Sequence, residues 1–161
     1  MPSFDAVLEP DLIQVRNAVD QTAKEIANRF DFKGSSAKIE LSDQTITAWA
    51  DNEFQLGQLR DVLLAKMAKR EVDLRYLDQG KPQPAGGDKV KQVITVRSGI
   101  AQDLAKRISS AIKESRMKLQ SSIQGDTVRI SGGKRDDLQA AIALLRKQID
   151  DAPLTFQNFR D

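Results

Sequence analysis

Residues 124–138 read QGDTVRISGGKRDDL. Thr127, Arg129 and Ser131 alternate with Val128 and Ile130, the period of a strand with one buried face. Gly132 and Gly133 can turn the backbone through conformations that residues with a Cβ avoid. Lys134 and Arg135 follow at the mouth of a helix, where free backbone N–H groups and the helix dipole favour anions. Two readings are open, a phosphate cradle or an ordinary strand-to-helix connection. Asp136 and Asp137 already serve the dipole and weigh against a strong phosphate site.

Outward from this stretch, Leu119, Ser121 and Ile123 supply the other arm of a hairpin. A helix is expected from Asp136 to about Gln148, with a closing strand marked by Leu154 and Phe156. Upstream lie a strand at 93–96 and a helix from about Ile100 to Arg116, with Ser98 as its cap. The first half reads the same way. A short strand holds Phe4, Ala6 and Leu8. After Pro10-Asp11 a helix runs to about Phe30, its apolar face made by Val15, Val19, Ala23, Ile26, Ala27 and Phe30. Residues 31–36 are a loop, 37–50 a hairpin, and Asp51-Asn52 cap a helix over 53–70. Val72, Leu74 and Tyr76 alternate as a last strand. Residues 80–91 combine Pro, Gly and charge without periodicity and read as a linker or long exposed loop.

A shift of 82 residues lays one half on the other. Ile26 meets Ile108, Ile46 meets Val128, Leu56 meets Leu138 and Leu63 meets Leu145. The expected fold is α+β, two ferredoxin-like βαββαβ sandwich domains related by internal duplication, at 11–79 and 98–161. One sheet face of each would be covered by helices and the other left open.

Composition narrows the function classes. The 161 residues include no His and no Cys, which removes the commonest general base, the thiolate nucleophile and the usual zinc ligands. No nucleophile elbow, Walker-type loop or metalloprotease helix is present, so catalysis, a metal and a cofactor are not expected. Without cysteines, a membrane-length apolar run or a signal peptide, the expected location is cytoplasmic. Net charge is +2, unevenly spread. Residues 1–87 hold 11 Lys and Arg against 14 Asp and Glu, and residues 88–161 hold 14 against 9. The basic second half suits an anionic partner such as a nucleotide or RNA, although a solvated surface has the same composition.

Candidate ligand contacts follow from the open faces and loops. Trp49 is the one large π-surface beside Thr45 and Thr47, with Lys38, Glu40 and Arg75 on the same face. It is placed either to stack on a ligand or to be buried between units. Thr155, Gln157 and Phe159 would join Thr127, Arg129 and Ser131 on the second face. Phe32 could stack on a base while Lys33 meets a phosphate, or Phe32 could close the core over Phe30. Arg160, near Phe156 and Phe159, admits the same two readings. RNA-recognition motifs share this topology, but their aromatic signature run is missing.

The segments MPSFD (1–5), RFDFKGS (29–35), FQLGQLRDVLLAKMAKR (54–70), IQGDTVRISGGKRDDLQ (123–139) and FQNFRD (156–161) together resemble the YajQ family of bacterial nucleotide-binding proteins. The likeness covers the whole chain. It implies ferredoxin-like domains with exchanged N-terminal strands, residues 3–9 joining the second sheet and 92–97 the first. It also implies binding of nucleotides or RNA and, for some members, sensing of cyclic di-GMP followed by engagement of a transcription regulator. The positions matching its motifs that could contact a ligand are Phe32, Lys33, Arg129, Lys134 and Arg135. Relatives are expected to carry a basic residue at position 133, where this chain has Gly.

The resulting expectation is a non-enzymatic nucleotide-binding protein for cyclic di-GMP, GTP or ATP, with no membrane partner. The alternatives are an RNA- or tRNA-binding module and a protein-interaction adaptor.

Overall fold

A computed structural model describes all residues, 1–161. Nine strands and four helices follow in chain order: β1 (Ser3–Val7), α1 (Leu12–Asn28), β2 (Lys38–Ser42), β3 (Thr45–Ala50), α2 (Glu53–Lys69), β4 (Leu77–Gln79), β5 (Gln83–Pro84), β6 (Val90–Val96), α3 (Gln102–Glu114), β7 (Leu119–Gln124), β8 (Thr127–Gly132), α4 (Arg135–Gln148) and β9 (Thr155–Arg160). They form two ferredoxin-like units, each with two helices and one antiparallel sheet. One unit comprises residues 1–9 and 98–161, the other residues 10–97.

In the first unit the strand order is β7-β8-β1-β9. The strand opening the sequence is therefore central in a sheet whose other members come more than a hundred residues later. In the second unit the order is β2-β3-β6-β4, with β5 also on β6. Here the central place next to β3 is taken by the last strand of the segment.

Local sequence accounts for the helix boundaries. The Asp11 carboxylate accepts from the N–H groups of Ile13 and Gln14 and starts α1. Asn52 caps α2 through the Gln55 N–H, while the Gln55 side chain accepts from the Asp51 N–H. The buried side of α1 is Val15, Ala18, Val19, Thr22 and Ile26, and the Thr22 hydroxyl donates to the Ala18 carbonyl at 2.8 Å.

Several expectations need correction. Helix α1 stops at Asn28, and a 3-10 turn over Phe30–Phe32 follows. Arg29 is extended, so the helical period ends before Phe30, which is left 91% exposed while Phe32 is 3% exposed. The phenylalanine in the core is thus the one two residues further on. Residues 74–76 are another 3-10 turn, because the Asp73 carboxylate holds the Arg75 N–H at 3.0 Å, and the strand begins only at Leu77. Arg75 pairs with Asp73 and is not a sheet-face residue. Helix α3 starts at Gln102 after Ala101, so Ser98 does not cap it.

Residues 80–91 are not a linker. Gln83 and Pro84 pair with Lys91 and Val90, and Gly80 donates its N–H to the Val93 carbonyl. The turn between these strands passes through left-handed backbone at Gly86, Gly87 and Asp88. The pattern lacks periodicity because so little of this hairpin is buried. The two glycines at 132–133 also differ from expectation, for neither has positive φ. At Gly132 a Cβ would lie 2.9 Å from the end of the Leu119 side chain, so a larger residue there would make that side chain shift.

The change at the end of α1 can be tested by stability. Phe32→Ala is expected to cost about 3–5 kcal/mol in urea unfolding, whereas Phe30→Ser stays within about 0.5 kcal/mol of wild type. Equal losses would contradict the placement of the two rings.

Candidate functional site

The six sequence candidates divide between the units. Phe32, Lys33 and Trp49 belong to residues 10–97, and Arg129, Lys134 and Arg135 to the other unit. Phe32 is buried beneath the Arg29 guanidinium, 5.1 Å from its ring centroid, and cannot stack on a base. Lys33 ends the same 3-10 turn and is exposed. Trp49 is half-buried on β3, with Lys38 on one neighbouring strand and Lys91 directly opposite on the other. The Lys38 ammonium lies 4.8 Å from its ring centroid, a cation–π contact.

Arg129 is engaged inside its own sheet. Its Nε donates to Asp5 Oδ1 at 2.9 Å, and Asn158 Nδ2 donates to Asp5 Oδ2 at 2.9 Å. Asp5 is only 5% exposed, and its carboxyl sits below the ordinary aspartate range, chiefly because of the Arg129 hydrogen bond and against the effect of burial. This arginine neutralises a buried carboxylate, which removes it from the ligand contacts.

Arg135 begins α4, behind exposed Lys134. No side chain caps this helix, whereas Asn52 caps α2. Arg135 lines a cleft of about 360 Å³ with Leu138 and Gln139 of α4 and Phe159, Arg160 and Asp161 beyond β9's midpoint. Leu138 is buried and gives an apolar floor; the Phe159 ring is 56% exposed. Arg135 donates Nε and a terminal nitrogen to the Asp161 carboxylate, a bidentate pair in which both side chains remain largely exposed. Such a pair is labile in water.

Phe159 reaches this cleft through a bulge. Asp5 pairs with Gln157 and Ser3 with Arg160, so β9 has one residue too many, and Asn158 takes it up at φ +55°. The slip turns Phe159 to the helix side, 5.7 Å between centroids from Phe4, and off the open face where strict alternation placed it. The signal was present in FQNFR. Two phenylalanines three apart share a strand face only if a bulge intervenes. Leu138, Gln139 and Asp161 had no such signal.

In the other unit the turn equivalent to Lys134-Arg135 is closed by its own side chains. Asp51 accepts from the Ser36 hydroxyl at 2.6 Å, the Ser36 N–H at 3.0 Å and the Lys89 ammonium at 3.0 Å. These bonds, the Ser36 hydroxyl first, hold its carboxyl down to about 2. A carboxylate depressed in the folded state contributes stability above its unfolded pKa and loses it as pH falls through the folded one. Urea midpoints are therefore expected to drop between about pH 4 and pH 2, and less steeply in Asp51→Asn and Asp5→Asn. Identical slopes in the variants would rule out these carboxylates as the source.

No helix of the chain is long and apolar enough to cross a membrane. Over residues 2–160 the sequence matches the family model described as nucleotide-binding protein YajQ-like, essentially its entire length, and the chain belongs to that family.

Proposed function

We propose that the chain is a nucleotide effector that acts by binding, not catalysis, and that the Arg135–Phe159 cleft takes a guanine nucleotide. The observation that carries this reading is one cleft holding two guanidinium groups, an exposed aromatic ring and a carboxylate at an uncapped helix N-terminus. Arg135 and Arg160 suit phosphate oxygens by forked hydrogen bonding. Phe159 offers a face for a purine, over the apolar Leu138. Asp161 adds selectivity. A carboxylate accepts from guanine N1–H and N2–H, whereas adenine N1 is itself an acceptor.

Cyclic di-GMP, with two guanines and two phosphates, is the ligand we favour, with a transcription regulator as the downstream partner; the family match supports nucleotide binding. Calorimetric titration is expected to show cyclic di-GMP or GTP binding more tightly than ATP, with Arg135→Ala weakening it at least about tenfold, or about 1.4 kcal/mol. Gly133→Lys is expected to tighten it, since a side chain there meets nothing within 4 Å. No heat from any nucleotide at about 100 µM protein would end this reading.

A second reading, RNA binding, rests on Trp49 flanked by Lys38 and Lys91. It requires that affinity for single-stranded RNA fall steeply with salt and drop on Trp49→Ala. A flat salt response would exclude it.

A further inference from the structure

Strand β2 is the outer strand of the sheet in residues 10–97 and pairs only with β3. Its sequence, Lys38–Ser42 (KIELS), contains no proline or glycine, and its register with β3 runs without a bulge. What blunts this free edge is its short length and the charges of Lys38 and Glu40, not a proline or a bulge. Beside this edge, α1 and β2 bound a groove of about 560 Å³, with Val19, Ala23, Ile39 and Leu41 in its walls. Charged residues stand beside it. Lys38 and Glu40, two apart on the exposed face of β2, are ion-paired with each other at 3.0 Å, and Arg16 and Asp20 lie four apart on α1 in the groove wall.

We propose that this edge is a self-association surface, on which two copies of the chain pair β2 with β2 antiparallel about Ile39. Charge selects that register. Centred on Ile39, Lys38 of each copy faces Glu40 of the other, and the contact occurs twice. Centred on Glu40, two carboxylates would oppose each other, which is unfavourable. Centred on Leu41, Glu40 would meet Ser42 and gain nothing. The same two-fold arrangement brings two α1 helices alongside one another, antiparallel. Arg16 of one then stands near Asp20 of the other, again twice, as an isologous interface demands.

Lys38 and Glu40 are paired with each other at 3.0 Å, but the pair is exposed and can exchange partners across the interface. Arg16, Asp20, Lys38 and Glu40 are all exposed. Arg16 and Asp20 form no ion pair with each other within the chain, unlike Arg29, Arg75, Arg107, Arg129 and Arg135 with their carboxylates. Backbone hydrogen bonds along β2 and apolar filling of the groove supply the attraction; the exposed ion pairs set register more than strength. A five-residue strand and one helix face make a small interface, so association is weak and concentration-dependent. A heterologous extended peptide could add to the same edge, but only a second copy repeats both charge patterns in complementary order.

The test is sedimentation velocity on the full chain from about 10 to about 500 µM, the range suited to a weak dimer. Dimer is expected to grow with concentration, with slowed amide exchange at 38–42. Two charge-segregated variants sharpen it. Asp20→Arg with Glu40→Lys makes the edge positive, and Arg16→Asp with Lys38→Glu makes it negative. Each alone is expected to stay monomeric where wild type dimerises, and an equimolar mixture is expected to form the heterodimer. The proposal is overturned if wild type remains monomeric throughout, if either variant dimerises like wild type, or if the mixture does not associate. The wild-type series decides the matter even where a variant folds poorly. Nucleotide plays no part in it.

Discussion

The sheet of residues 1–9 and 98–161 depends on a strand borrowed across the sequence. All five residues of β1 are buried, and its two edges are paired with β8 and β9. Without it, β8 and β9 would have no strand between them and the first unit would have no continuous sheet. Phe4 is the anchor. It is fully buried, touches Phe156 edge-on at 5.5 Å and underlies Phe159. Its neighbour Asp5 ties the same strand to both flanks through Arg129 and Asn158. A carboxylate removed from water is costly unless paired and hydrogen-bonded; this one has both, and the bulge of β9 supplies the asparagine. The cleft by Arg135 thus owes its aromatic wall to the manner in which β1 is gripped.

The cations are unequal as ligand contacts. Arg29, Arg75, Arg107 and Arg129 are bonded to carboxylates of their own unit. Two of these, Arg107 and Arg129, lie in residues 88–161, so the basic excess there overstates what is free for a partner. Arg135 is paired too, but its pair is solvent-exposed and can exchange Asp161 for another acceptor.

Much of the fold was legible from periodicity. Ile26 and Ile108, Ile46 and Val128, Leu56 and Leu138, and Leu63 and Leu145 are all buried, as their shared spacing requires. The failures cluster where one side chain overrides a period. Asp73 winds its neighbours into a 3-10 turn despite the alternation Val72, Leu74, Tyr76. Arg29 ends α1 before Phe30. Asn158 shifts the face of Phe159. Of the residues lining the candidate cleft, Arg135 was legible because helix mouths have a recognisable order, whereas Lys134 beside it does not line the cleft. Asp5 and Arg129, 124 residues apart in sequence, carry no local mark of their bond.

Strand order also sets a timetable for synthesis. Residues 10–97 contain every strand of their own sheet and can close it once β6 has left the ribosome. Strand β1 is made first and must wait for β8 and β9, an interval of roughly 10 s at ordinary elongation rates. Throughout that wait Phe4, Val7 and Leu8, all destined for the interior, stay uncovered by their own sheet. The nascent chain thus carries a short apolar tether ahead of a unit able to fold, and a chaperone that holds this tether would serve the molecule at its most vulnerable stage.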